Sequence, residues 1–354
     1  MLNRNECSIQ SITPVHTNQG RGNDKYFMRR LEMAINSISH IGCHLITSNA
    51  PMPQIAEINN AVNIPLYDGK ITFSPGAYRN VAVKQCSADY IFFMDCDLLC
   101  SPTLANQFHE RAQYLGTQSS QSFEMYPCLY LTKDETENFN GDFQGCLESF
   151  LRGENHRVEG IALASSCILM NREWFLQLGG FDERFVGHGG EDLELIDRLT
   201  RHFPIGQRLD DYPLNVKAQH PGDYQGFRRY FSYYALPHLF AGRFLVHQWH
   251  PRPLMHPYHK QRSINDLLLE QTLLRSEADI GPLYGAVVCS NAFDNMLPDF
   301  KKWMVNLQEE AGYPIKEYPG LLHWKDGVKV KRPLWRKLRK LYLNPQAFFS
   351  DMRK

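Results

Sequence analysis

The sequence lacks the features that mark membrane-spanning, disulfide-built and nucleic-acid-binding chains. No run of about 18 apolar residues occurs, so no transmembrane helix is predicted, and residues 1–10 lack the apolar centre of a secretory signal. The nine cysteines form no CxxC pair and have no regular spacing, which favours a reduced, cytosolic protein over a disulfide framework. The formal net charge of +0 predicts no nucleic-acid partner.

The first part of the chain contains alternating strand-like and helix-like segments. In residues 26–38 apolar side chains recur at helical spacing, and β-prone segments lie on either side. This alternation predicts an α/β fold with a mostly parallel, Rossmann-like central sheet that is flanked by helices. The predicted segments are strand 7–15, helix 26–38, strand 44–47, strand 61–67, helix 79–86 and strand 90–95.

The pattern is weaker after residue 100, where polar stretches dominate up to residue 155. We expect a partly irregular connection there and regular elements again afterwards. The predicted elements are helix 102–115, one buried strand over 161–170, helix 171–178, a strand over 240–250, and helices 264–275 and 297–310.

An apolar run at 90–94 ends directly in an acidic pair, Asp95 and Asp97. Ligands of parallel α/β sheets bind at the carboxyl ends of the strands. Two carboxylates one residue apart suit Mg²⁺ or Mn²⁺, which takes oxygen ligands and shares them with phosphates. The alternative is a solvated turn after a strand, because a DxD triplet is common by itself.

A glycine run precedes a second acidic pair. Gly187, Gly189 and Gly190 stand directly before Glu191 and Asp192, and helical periodicity follows. Glycines allow another molecule to approach closely, and the first turn of a helix stabilises acidic groups. An acid in such a hollow can accept a proton from a hydroxyl group, whereas ordinary acidic capping of a helix is the alternative.

Together, AYRNVAVKQCSADYIFFMDCDLL at 77–99 and GGFDERFVGHGGEDLELIDRL at 179–199 resemble the nucleotide-sugar glycosyltransferases of the GT-A fold. The chain looks most similar to bacterial capsule enzymes related to chondroitin-type polymerases, in family 2, and to the C-terminal region of the family 7 galactosyltransferases. The resemblance covers roughly residues 7–260. It implies a GT-A fold, to which this chain adds a C-terminal helical extension.

The resemblance also implies a metal site. Asp95 and Asp97 would hold Mn²⁺, or Mg²⁺, against the diphosphate of a UDP-sugar. In galactosyltransferases a late strand supplies a further metal ligand, with a soft ligand three positions earlier, and His247 and His250 have that spacing here. A zinc site is the alternative for a segment with clustered histidines.

The catalytic roles follow from the same resemblance. Asp192 matches the general base of inverting members, and retaining relatives with a similar run carry Asn at that position. Glu191 would contact the acceptor. Arg79 and Asn80, the RN element, would lie under the nucleotide. The predicted substrate-binding residues are Arg79, Asn80, Asp95, His188, Gly189 and Gly190.

We expect a glycosyltransferase domain at 1–262, a helical extension at 263–323 and a basic amphipathic tail at 324–354. In the domain, 1–100 would be the nucleotide-binding half and 155–262 the acceptor-binding, catalytic half. Basic amphipathic helices bind anionic membranes, so the tail (chiefly residues 325–354) predicts a membrane surface or a capsule assembly complex as partner. A helix docked on the domain is the alternative.

The predicted function is therefore metal-dependent, inverting transfer of a hexose or N-acetylhexosamine from a UDP-sugar to a growing glycan. The setting would be capsule or other surface polysaccharide synthesis, with a lipid-linked acceptor among the candidates. The protein would be cytoplasmic and peripheral on the inner face of the inner membrane. A metal-dependent phosphohydrolase and a non-catalytic glycan-binding component of an assembly complex remain as alternatives.

Overall fold

The computed structural model describes residues 7–16, 26–66, 73–216, 218–250, 257–274 and 296–325, with the single positions 293, 338, 341, 342 and 345. The strands are β1 (Ile9–Val15), β2 (Cys43–Ser48), β3 (Ala61–Pro65), β4 (Tyr90–Phe93), β5 (Leu98–Cys100), β6 (Phe123–Met125), β7 (Cys128–Leu131), β8 (Val158–Ala162), β9 (Ile168–Asn171) and β10 (Leu245–His247). The helices are α1 (Phe27–Asn36), α2 (Pro75–Gln85), α3 (Pro102–Gln118), α4 (Lys133–Asn138), α5 (Phe143–Leu151), α6 (Arg172–Gln177), α7 (Glu191–His202), α8 (Gly226–Phe240), α9 (Pro257–Lys260), α10 (Arg262–Leu273) and α11 (Phe300–Glu310).

The central sheet has the strand order β3-β2-β1-β4-β9-β6. The first four of these strands are parallel to one another, whereas β9 runs antiparallel to both β4 and β6. Helices α2 and α3 pack against this sheet. The predicted α/β fold with a central sheet flanked by helices is thus confirmed, with one antiparallel strand, β9, next to the edge strand β6.

Strand β4 is buried on both faces, which explains why all four of its residues are large and apolar. Successive side chains of a strand point to opposite faces of the sheet. Ile91 and Phe93 join the larger core cluster, which also contains residues of α2. Tyr90 and Phe92 join a second cluster with Phe108 of α3, and the Phe92 and Phe108 ring centroids lie 4.7 Å apart.

A second sheet, with the order β5-β10-β7-β8, was not predicted from the sequence. Strand β5 begins at Leu98, directly after the acidic pair, and is antiparallel to β10. The register places His247 opposite Leu98. This sheet therefore brings the end of β10 next to the turn that carries Asp95 and Asp97, the acidic turn.

Two sequence-based assignments after residue 100 are wrong. The apolar segment 161–170 is not one strand, because β8 and β9 belong to different sheets and the chain bends between them around Ser165 and Ser166. The stretch before residue 155 is not irregular either. It contains β6, β7, α4 and α5, which are too short to show a clear hydrophobic period.

The predicted strand over 240–250 is also shorter than expected. Helix α8 continues to Phe240, and only Leu245–His247 form a strand. By contrast, the predicted helices at 264–275 and 297–310 match α10 and α11, which pack against α7 and α8.

In the described part of the chain, no helix is both long enough and apolar enough to cross a membrane. The predicted basic tail lies almost entirely outside the described residues, since only four single positions beyond residue 325 are included.

Asn80 of α2 holds the segment that leads into the glycine run. Its side-chain Nδ2 donates to the carbonyl oxygen of Phe181 at 2.9 Å, and its Oδ1 accepts from the Phe181 N–H at 2.8 Å. Nδ2 also lies 3.0 Å from Oε1 of Glu183. Asn80 is buried, so this amide takes the place of water for both backbone groups of Phe181.

Replacing Asn80 with alanine is expected to lower the free energy of unfolding by about 2–4 kcal/mol, because a buried N–H and a buried C=O lose their partners. Urea denaturation measures this loss. Asn59→Ala, at an exposed position, serves as the matched control and should stay within about 0.5 kcal/mol of the parent. A loss of similar size in both variants would contradict this role of Asn80.

Candidate active site

A cavity of about 350 Å³ opens at the carboxyl ends of β1 and β4. Its size lies within the ordinary range of small-molecule sites. It is lined by residues from both acidic pairs, from the glycine run and from the HQWH segment at 247–250. The predicted site residues in its wall are Asp95, Asp97, His188, Gly189, Gly190, Glu191, Asp192, His247 and His250.

The glycine run positions the second acidic pair. Gly189 and Gly190 have φ values of +84° and +105°, which side-chain-bearing residues rarely adopt. A Cβ at Gly189 would collide with the guanidinium of Arg262, and one at Gly190 would collide with the ring of Phe185. Helix α7 can therefore begin at the cavity wall, with Glu191 and Asp192 in its first turn.

Arg79 connects the two acidic pairs. Its side chain is only 1% exposed, and Nη2 lies 2.5 Å from Oδ1 of Asp95 while Nη1 lies 3.0 Å from Oδ1 of Asp192. Nη1 is also 3.8 Å from Oε1 of Glu191. One guanidinium thus holds a carboxylate that follows β4 and one from α7 at the same cavity.

Arg79 and Asn80 themselves lie behind the cavity wall. Both side chains are buried, and neither is part of the lining. The guanidinium of Arg79 is engaged by carboxylates, and the amide of Asn80 by Phe181. The RN element therefore supports the site from behind.

The enclosed acids have altered proton affinities. Burial raises the pKa of Glu191, and the neighbouring Asp192 raises it further, while Arg79 acts in the opposite direction. Burial also raises the pKa of Asp192, against the effect of Arg79. Glu191 therefore keeps a proton to higher pH than an ordinary glutamic acid, and Asp192 is a stronger base than an ordinary aspartate.

Asp97, His247 and His250 form the group that could hold a metal ion. Oδ2 of Asp97 lies 3.1 Å from Nε2 of His250 and 3.7 Å from Nε2 of His247. The candidate ligand atoms of all three residues lie within 4.8 Å of one another. Metal–ligand bonds of about 2.0–2.2 Å would allow atoms at these separations to share one ion.

Asp95 lies beside this group rather than in it. Its Oδ1 accepts from Arg79, and its Oδ2 accepts from the hydroxyl group of Ser166 at 3.0 Å. Of the four predicted metal ligands, Asp97, His247 and His250 therefore come together. Asp95, the first acid of the DCD triplet at 95–97, is instead bonded to Arg79 and Ser166.

Arg228 and Arg262 are among the cavity residues that the sequence did not predict. Arg228 stands in the aromatic-rich stretch 227–234, whose aromatic side chains are buried. Local sequence thus indicates a packing helix there, and the arginines within the stretch signal a second role for it.

Removing one of the three candidate ligands should weaken binding of a divalent cation by at least about tenfold, since even supporting residues of metal sites have effects of that size. Mn²⁺ serves as the probe, and its free electron paramagnetic resonance signal reports the unbound fraction. Asp97→Asn and His250→Ala should both leave more Mn²⁺ free. His156→Ala, at a side chain that is 66% exposed, is the matched control. Equal Mn²⁺ binding by all variants would rule out this group as a metal site.

The chain was compared with known proteins. No curated protein matches it. Among solved structures, "Crystal structure of S. aureus TarS 1-349 in complex with UDP" is similar at 14% sequence identity and a TM-score of 0.34. That similarity covers 54% of this chain and 54% of the TarS chain, so it spans about half of each and carries no conclusion about substrates.

A protein-family model matches a larger part of this chain. The family is described as "Glycosyltransferase like family 2", and the match covers residues 44–274, more than half of the chain. The matched residues include the acidic turn, the glycine run and both histidines of HQWH. The expected relationship to GT-A glycosyltransferases is thus confirmed, and the protein belongs to the glycosyltransferase family 2-like enzymes.

Proposed function

We propose that the protein catalyses metal-dependent, inverting transfer of a hexose or N-acetylhexosamine from a UDP-sugar to a growing glycan. One observation carries this proposal: the Asp97–His247–His250 group and the carboxylate of Asp192 face the same cavity. A glycosyl transfer of this kind needs a site for the diphosphate and a base for the acceptor within one enclosed space.

Mn²⁺ is the cation that we propose, in preference to Mg²⁺. Two imidazole nitrogens and one carboxylate are a softer set of ligands than Mg²⁺ takes, because Mg²⁺ favours oxygen in a strict octahedron. Asp97, His247 and His250 would hold the ion. When bound, it supplies compensation for the negative charge on the departing nucleotide diphosphate.

Asp192 is the proposed general base. Its Oδ1 accepts from Arg79, which orients the carboxylate and leaves Oδ2 for the proton of the acceptor hydroxyl group. As that proton passes to Asp192, the hydroxyl oxygen bonds to the anomeric carbon. The bond to the diphosphate oxygen breaks on the opposite face, so the configuration inverts. Glu191, protonated near neutral pH because of burial, would donate a hydrogen bond to the acceptor.

The proposed setting is the synthesis of capsule or another surface polysaccharide at the cytoplasmic face of the inner membrane. Its support is the basic sequence 325–354, which suits an anionic membrane or a membrane-bound assembly complex. In that setting the acceptor includes lipid-linked glycans.

Replacing Asp192 with asparagine should lower glycosyl transfer by about 10²–10⁴-fold, since the variant keeps the shape of the side chain but cannot accept the proton. The assay incubates the full chain with Mn²⁺, a panel of UDP-sugars and candidate acceptors, and detects products by mass spectrometry. UDP binding, followed by calorimetry, should survive the substitution. Asp210→Asn, at an exposed aspartate, is the matched control. Near-parental transfer by Asp192→Asn would rule out the proposed base.

The same assay separates the two other candidate functions. A phosphohydrolase would release phosphate from simple esters and would need no sugar acceptor. A non-catalytic glycan-binding component would bind glycan without requiring UDP. Transfer that persists at full rate in EDTA would contradict the metal requirement.

Ending the chain after Lys325 should abolish sedimentation with anionic vesicles, because ten Lys and Arg residues of the tail stand against two Asp. Lys325 remains in that variant, so nine of these basic residues are removed. Vesicles of phosphatidylcholine alone serve as the uncharged control. Equal sedimentation of the shortened and full chains with anionic vesicles would contradict the proposed membrane role.

A further inference from the structure

Arg228 of α8 lines the cavity with a guanidinium that is only partly engaged. Nη2 donates to Oδ1 of Asn215 at 3.1 Å, and Nε is buried without a hydrogen-bond partner. Its neighbour Arg229 is different, since it pairs with Asp211 at 2.6 Å and does not line the cavity. For Arg228 no ion pair is found within the described ranges.

Arg262, at the start of α10, adds a second guanidinium to the same wall. Its Nε lies 3.0 Å from Oδ1 of Asp266, one helical turn away. The pKa of Arg228 is lowered by burial first and by the proximity of Arg262 second. Within the described ranges, Asp266 is thus the carboxylate found at ion-pair distance from Arg262, and none is found at that distance from Arg228.

Arg262 relates the pair to the proposed base. Its guanidinium lies against Gly189, where a Cβ would collide with it. Its charge also acts on the carboxyl group of Asp192 and opposes the rise in the pKa of that group. An acceptor whose hydroxyl group reaches Asp192 would therefore lie beside Arg262, in the cavity that Arg228 also lines.

We propose that Arg228 and Arg262 bind an anionic group, a carboxylate or a phosphate, on the acceptor glycan. This inference rests on the proposed function and specifies its acceptor. A guanidinium presents several N–H donors in one plane, which matches the oxygens of carboxylates and phosphates. A half-buried positive charge without an ion-pair partner is costly, and an acceptor anion would supply that partner. The donor diphosphate is the other source of the same chemistry, and the experiment must separate the two.

The test titrates glucuronate and methyl phosphate into the full chain by calorimetry, with and without saturating UDP and Mn²⁺. Glucose is the neutral counterpart of glucuronate. At least one of the two anions should bind to the UDP-saturated protein, and glucose should bind at least about tenfold more weakly than glucuronate if glucuronate is that anion. Arg228→Gln should weaken anion binding by about tenfold or more, and the matched control Arg229→Gln should leave it unchanged.

Three results would overturn the proposal. The first is binding of anions only in the absence of UDP, which would assign the arginines to the donor diphosphate. The second is the absence of anion binding to the UDP-saturated protein. The third is equal anion binding by Arg228→Gln and the parent. Arg228→Lys keeps the charge and, with thermal melting as a check on folding, covers the case in which the glutamine variant does not fold.

Failure of the proposed function would look different. A chain that binds no UDP and transfers no sugar would contradict the glycosyltransferase mechanism, while the titration without UDP would still report whether Arg228 binds anions.

Discussion

The buried guanidinium of Arg79 is the constraint on which the cavity depends. Without it, Asp95, Glu191 and Asp192 would place three carboxyl groups close together with no counter-charge, and their repulsion would favour protonation or separation. With it, Asp192 stays near the acidic turn as a base of raised pKa. The same contact joins the end of β4 to the start of α7, so the electrostatics of the site and the packing of the fold are linked.

The second sheet supplies what the central sheet cannot. The end of β4 offers carboxylates alone, and a divalent cation needs further ligands. Strand β10 pairs with β5 immediately after Asp97, so its last residue, His247, comes to lie beside that carboxylate. Pairing between two strands that lie far apart in the sequence thus converts an acidic turn into a mixed carboxylate–imidazole group.

The charged groups of the cavity come from several elements. Asp97 and His250 follow β4 and β10, Asp192 lies in the first turn of α7, and Arg228 and Arg262 come from α8 and α10. One enclosed space thus collects a candidate cation site, a base and two guanidinium groups. Helix α10 contributes to the site as well as to the C-terminal packing, since its first residue lies against Gly189.

Local patterns in the sequence predicted much of this protein. The alternation of elements gave the α/β fold. Apolar residues before Asp95, and glycines before Glu191, indicated both acidic pairs, because a buried strand needs apolar residues and a positive φ favours glycine. The strands β6 to β8 are too short to show a clear hydrophobic period.

Only the tertiary structure decided which groups meet. Strand pairing across a long sequence separation brought His247 to Asp97. Helix packing buried Arg79 between two acidic pairs and placed Arg228 in the cavity wall. These contacts join residues that are far apart in the chain. Their partners are set by packing and register, which no local run of residues encodes.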